Sequence, residues 1–110
     1  MRACLETAAL RHRLQLETPV DMPEDNGGFT RTWQVAGQVW ACVEPLREVT
    51  QFASEQAEVV LTHRVTLRWR ADVTPAMRLR WGERVLDIST VATADPQRRF
   101  LTCHCREITT

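Results

Sequence analysis

Two short segments of alternating polarity, Val65-Thr66-Leu67-Arg68-Trp69-Arg70 and Met77-Arg78-Leu79-Arg80-Trp81, constrain this chain more than any other feature. Successive side chains on a strand point to opposite faces, so Val65, Leu67 and Trp69 share one side and Thr66, Arg68 and Arg70 the other. Met77, Leu79 and Trp81 repeat the division against Arg78 and Arg80. Gly82 can take a positive φ at little cost, so Trp81-Gly82-Glu83-Arg84 predicts a two-residue hairpin, after which Val85 to Val91 returns antiparallel with Leu86 and Ile88 on one face. The expectation is a sheet with one apolar side, on which Trp69 and Trp81 belong to the core.

The same alternation marks a first strand over Arg11 to Glu17, where His12, Leu14 and Leu16 oppose Arg11, Arg13 and Gln15. Thr18 to Gly28 then gathers prolines, aspartates, an asparagine and two glycines, a composition that predicts an exposed hairpin tip. Phe29 to Val35 and Gln38 to Glu44 are both β-prone, so a second strand is expected to bend or bulge at Gly37 and to stop at Pro45. Along Val39-Trp40-Ala41-Cys42-Val43 apolar residues face both ways, as when a strand is covered on two sides by its own chain or on one side by another subunit. Arg99 to Glu107 forms a last strand, with Leu101, Cys103 and Cys105 on one face.

Between Leu46 and His63 the alternation fails and the sequence turns polar. A long polar loop over 47–62, between the second and third main strands, is the resulting expectation, and irregular connections of that length are usually functional. Arg47, Glu48, Gln51, Phe52, Glu55, Gln56 and Glu58 are therefore candidate partner contacts. Strands spaced by turn signals, without helical repeats, argue for an all-β domain over residues 1–110, a small antiparallel β-barrel of about six strands.

At 110 residues the chain has room for one domain, which buries roughly two thirds of its unfolded surface. Fourteen basic and fourteen acidic side chains leave no net charge, which weakens a phosphate-tracking role. No stretch reaches the roughly 20 apolar residues that span a bilayer, and Glu6 interrupts any secretory core near Met1. A cytoplasmic product is expected, with Cys4, Cys42, Cys103 and Cys105 as reduced thiols.

Little in the sequence points to catalysis. Cys103-His104-Cys105 offers zinc-ligand types, yet on a strand His104 points away from both thiols and the two-residue-separated knuckle is missing. His12, His63 and His104 stand far apart, without a nucleophile elbow or a glycine-rich phosphate loop. No metal, cofactor or catalytic residue is expected. Arg68, Arg70, Arg78 and Arg80 would form one basic face if their strands were adjacent, offset by water, by carboxylates of a neighbouring subunit or by nucleic acid. Of the four tryptophans, Trp33 and Trp40 are the candidates for exposure at an interface.

The order of these features resembles the phage head-to-tail joining protein family, the head closure or stopper proteins of tailed phages and gene transfer particles. The similarity begins with Leu10-Arg11 and the strand through Leu16, and continues through Asp25-Asn26-Gly27-Gly28, Trp33, Val39-Trp40-Ala41-Cys42-Val43-Glu44-Pro45 and Glu55-Gln56-Ala57. It extends to Val65-Thr66-Leu67-Arg68-Trp69, Met77-Arg78-Leu79-Arg80-Trp81-Gly82, Val85-Leu86-Asp87-Ile88 and Val91. Trp69 and Leu86, where family members often carry tyrosine, and the Cys-His-Cys ending depart from the pattern.

The resemblance implies a non-catalytic barrel that assembles in the bacterial cytoplasm as a homo-oligomeric ring of six or twelve copies and then sits in the particle neck. It implies partners on the portal or adaptor side and on the tail side, packaged DNA passing nearby without sequence-specific binding, and no membrane. An alternative from the residues alone is a barrel-type nucleic-acid-binding module using Arg68, Arg70 and tryptophans.

Overall fold

The computed structural model describes residues 9–52 and 58–108, with side chains described over 9–46 and 60–108. Six strands follow in order: β1 (His12–Pro23), β2 (Phe29–Phe52), β3 (Glu58–Arg68), β4 (Arg78–Trp81), β5 (Arg84–Thr93) and β6 (Phe100–Ile108). All neighbours pair antiparallel in the order β1-β2-β3-β6-β5-β4, and β4 returns to β1, so one sheet closes into a barrel. The closing seam is short, matching Gln15–Glu17 with Arg78–Arg80.

The inward phase of each strand supplies the core, as the alternation predicts. Leu14 and Leu16 of β1, Ala41 of β2, Val65 and Leu67 of β3, Leu79 of β4, Leu86 of β5, and Cys103 and Cys105 of β6 are fully buried. Val73 and Met77, from the connection between β3 and β4, pack into the same cluster. Gly82 takes φ +63° in the turn joining Trp81 to Arg84, while Glu83 keeps a negative φ, as a type II′ hairpin requires. Asp95 ties the turn before β6: its Oδ1 accepts the backbone N–H groups of Arg99 and Phe100, and its Oδ2 accepts Arg99 Nε at 2.7 Å.

Three strand limits differ from expectation. β1 continues through Pro19 to Pro23, leaving only 24–28 as the hairpin tip. Beyond Glu17 it pairs with β2 alone, so it runs as an edge strand, where proline is tolerated. β2 does not stop at Pro45; it absorbs that residue at a register shift before Val49 and runs on to Phe52. The expected loop over 47–62 is therefore a ladder in its described parts, Val49–Phe52 facing Glu58–Leu61, and residues 53–57 lie outside the described residues. The bulge expected near Gly37 is present, because Leu16 faces Gly37 while Glu17 faces Val35.

Two ribbons thus leave the barrel: Thr18–Pro23 with Phe29–Gln34, and Glu58–Leu61 with Val49–Phe52. They account for extents of 51 × 32 × 27 Å. The radius of gyration is 14.8 Å, against roughly 13 Å for a compact chain of this length. Trp81 packs against the core as expected, but Trp69 follows the end of β3 and is 43% exposed. Strand alternation ends at Arg68, where the chain leaves the ladder and Trp69 N–H donates to Arg99 C=O. Cys103 and Cys105 are free and buried, whereas Cys42, expected as a reduced thiol, is disulfide-bonded.

Candidate assembly interface

One side chain of each strand, two residues from a core position, lies at the same end of the barrel: His12, Val43, His63, Trp81, Arg84 and Glu107; β3 continues past His63 to Leu61, which is also fully buried. They close that end. Arg84 lies 4.4 Å over the Trp81 ring and donates twice to Glu107 at 2.8 Å. His12 and His63 meet Trp81 edge-on, at 5.1 and 6.3 Å. His63 Nδ1 is 2.9 Å from Thr62 Oγ1 and its Nε2 is 3.3 Å from Arg84 Nη2. Since a guanidinium can only donate, Nε2 accepts and the ring carries its proton on Nδ1. Burial first of all holds the His63 pKa below its ordinary value, with Glu107 opposing and Arg84 reinforcing that direction. Arg84 thus ties His63 and Glu107 together over the Trp81 ring.

The four arginines do not share a face. β3 lies between β2 and β6 while β4 lies between β1 and β5, which puts the two strands three places apart around the ring. Arg78 and Arg80 instead converge on Glu17, their Nε atoms 2.7 and 3.1 Å from its two oxygens, and Gln15 Nε2 donates to the same carboxylate at 2.7 Å. Burial alone would push the Glu17 pKa up, but the hydrogen bonds from Arg78, Gln15 and Arg80 outweigh it and hold the carboxyl below its usual range. Arg70 makes a two-pronged pair with Asp72 at 3.0 and 2.9 Å. Its guanidinium lies against Gly37, where a Cβ would stand 3.1 Å from Nη1.

Around the outside, successive register partners alternate in charge: Glu17, Arg78, Asp87, Arg106. Each is flanked by its opposite, a pattern unlike a surface built to follow phosphates. Trp33 roofs this row, its ring 4.1 Å from the Arg78 guanidinium. An open groove of about 600 Å³ runs beside it, bordered by Arg31, Trp33, Val60 and Arg106.

Free apolar surface lies elsewhere. Trp40 is 56% exposed and borders a groove of about 320 Å³ with Leu10, Gln38, Val39, Arg68 and Arg70. The end of the β1–β2 ribbon exposes Phe29 at 70% and Met22 at 53%. Of the residues proposed from sequence, Trp40, Arg68 and Arg70 meet in one groove, while Trp33, Arg78 and Arg80 gather around Glu17. The backbones of Arg47, Glu48, Gln51, Phe52 and Glu58 belong to β2 and β3, and their side chains, like all of Glu55 and Gln56, lie outside the described residues.

Phe29 and Glu17 were not singled out in the sequence. A phenylalanine directly after a Gly-Gly turn, and a carboxylate on the polar phase of a strand, are the signals that point to them.

Among the described residues no group of three or more histidine, cysteine or acidic side chains is placed to hold a metal ion. Burial pushes the Cys103 thiol up to about 12 and the Cys105 thiol up as well, which favours the protonated form of both. His104 points away from both, its Nδ1 3.3 Å from Thr90 Oγ1.

The sequence matches the family model described as phage head completion protein over residues 5–108. The fold is similar to a chain in the virion of a native gene transfer agent particle, at 28% identity and a TM-score of 0.70, covering 92% of this chain and 97% of that one. It is also similar to the solution structure of protein SF1141 from Shigella flexneri 2a, at 23% identity and a TM-score of 0.70, covering 94% and 96% of the two chains. No curated protein matches the sequence.

Proposed function

The chain belongs to the phage head completion protein family, and from that premise we propose that it is a structural head-tail connector of a phage or gene transfer particle. The observation that carries the reading is a family match running almost end to end, joined by a structural neighbour of nearly equal length within a gene transfer agent virion. The chain works by assembling with other virion proteins. In the finer reading, copies form a ring between a portal or adaptor protein and the tail, help retain packaged DNA, and are made in the bacterial cytoplasm before entering the particle neck.

The physical demands of such a part agree with the molecule. A ring subunit needs two unlike lateral surfaces and further surfaces above and below. Here a barrel closed by its own side chains carries two projecting ribbons, an exposed Trp40 groove and a separate groove beside Trp33. Nothing in the reading requires the chain to make or break a bond. A nucleic-acid module would need its arginines in one stripe, but Arg78 and Arg80 are held by Glu17 and Arg70 by Asp72.

The test is genetic and visual. Particles produced without this chain should appear in micrographs as heads and tails that have not joined, and supplying the chain in trans should restore joined particles. Normal joining in its absence would overturn the connector reading.

A further inference from the structure

The hydrogen bonds at the closed end of the barrel fix which nitrogen of His63 takes a further proton. Nδ1–H donates to Thr62 Oγ1, and that hydroxyl also accepts the Glu107 backbone N–H at 2.8 Å and donates to Cys105 C=O at 3.5 Å. Nε2 accepts Arg84 Nη2 at 3.3 Å, so the neutral ring is matched at both nitrogens. The next proton enters at Nε2.

A proton there sets two donors against each other, which no rotation of a guanidinium relieves. The register partners of His63 are Pro45 of β2 and Cys105 of β6, and Trp81 of β4 meets the ring edge-on. His12 of β1, exposed, reaches Trp81 from another side, while Arg64 and Glu44 pair with each other on the opposite phase of their strands. Two charges act on the ring: Arg84 of β5 opposes an imidazolium, and Glu107 of β6 favours one. Both Glu107 oxygens are bound to Arg84. The acceptor that a charged His63 needs is therefore the group that holds the guanidinium in place. Arg84 has water to move into, since its side chain is nearly half exposed and opens β5 directly after the Gly82-Glu83 turn.

We propose that this end of the barrel is a pH-sensitive latch, in which a proton at His63 Nε2 draws Glu107 away from Arg84 and releases the guanidinium from the face of Trp81. Once released, the group of Arg84, Glu107 and His63 carries a net positive charge where it was neutral. The Trp81 face that Arg84 covers at 4.4 Å opens to water. Burial keeps His63 neutral at neutral pH, so the latch is closed there and opens on acidification below 6.5. The change is local to the free chain, and it does not rest on the connector reading.

The test is a titration of the purified full chain from pH 8 to pH 4.5 by nuclear magnetic resonance. It follows the His63 ring nitrogens, the Arg84 Nε–H and the Trp81 indole, while circular dichroism records that the fold is intact. The expected result is the Nδ1–H tautomer at pH 8, then one midpoint below 6.5 shared by protonation of His63, loss of the protected Arg84 signal and a shift of Trp81. Glu107→Gln moves the His63 midpoint lower, His63→Gln abolishes the Arg84 and Trp81 step, and His12→Gln leaves it in place. An Nε2–H tautomer at pH 8, Arg84 and Trp81 signals that hold still while His63 titrates, or unfolding that precedes that titration would each overturn the proposal. The wild-type chain decides the matter even where a variant does not fold.

Discussion

The guanidinium of Arg78 lies 4.1 Å from the centre of the Trp33 ring, stacked across the seam where the barrel closes. From there its Nε donates at 2.7 Å to Glu17, the carboxylate that also holds Arg80. Cation–π stacking and a shared counter-ion join β1, β2 and β4 at the point where only three residue pairs complete the ring.

Removing that counter-ion should loosen the seam. Glu17→Gln leaves two guanidinium groups facing each other with a neutral acceptor between them. Breaking a fully buried pair costs about 3–5 kcal/mol, and because Arg80 stays open to water the expected loss is nearer 2 kcal/mol. Urea unfolding of the purified variant measures it, and an unchanged midpoint would show that the seam does not depend on this carboxylate.

Acid should weaken the fold in two stages. Burial above all holds His63 below its ordinary 6.5, and burial together with Arg64 does the same for His104. The folded state therefore favours neutral imidazoles. Their contribution is complete above pH 6.5 and is lost as the pH falls below it, where the unfolded chain binds protons more readily. Glu17 and Glu107 are held below the usual carboxylate range, so what they contribute persists to lower pH and goes as the solution falls through their lowered values, below about pH 4. Unfolding midpoints recorded from pH 8 to pH 3 should show both steps. A variant with His63→Gln and His104→Gln should keep only the lower one.

The tryptophans should separate by position. Trp40→Ala removes an exposed ring and should change stability by no more than about 0.5 kcal/mol. Trp81→Ala takes away a side chain packed on the core, stacked under Arg84 and met edge-on by His12, and should cost about 3 kcal/mol. Thermal unfolding followed by circular dichroism compares them, and equal losses would contradict the placement.

The two β6 thiols should be silent in the folded protein. With the Cys103 pKa near 12, roughly one thiol in ten thousand is ionised at pH 8. Cys105 is raised further by burial and by its neighbours Cys103 and Asp87. Labelling by a disulfide reagent should wait for unfolding, and its rate should track the unfolding equilibrium. Rapid labelling of the native chain at either position would show that β6 is not seated as described.

Local signals were legible wherever backbone stereochemistry alone decides the outcome. Alternation marked Leu14 and Leu16, Val65 and Leu67, and Leu79 as inward. It also set His104 apart from Cys103 and Cys105, and Gly82 announced its turn. It failed where composition stood in for pairing. Thr18–Pro23 looked like loop because of its prolines, and Val49–Phe52 because of its polarity, yet each found a partner strand that satisfied its backbone. Trp69 kept the rhythm of β3 for one residue more than β3 lasts.

From its order of residues alone, this chain was bound to be a small antiparallel barrel with a known face to its core, because a period of two is imposed residue by residue. Neighbourhood is another matter. Only closure of the sheet placed β3 and β4 on opposite sides, parted Arg70 with its Asp72 partner from Arg78 and Arg80, and set Glu17 between those two. Those outcomes depend on which distant strands exchange hydrogen bonds, and no local rhythm carries that information.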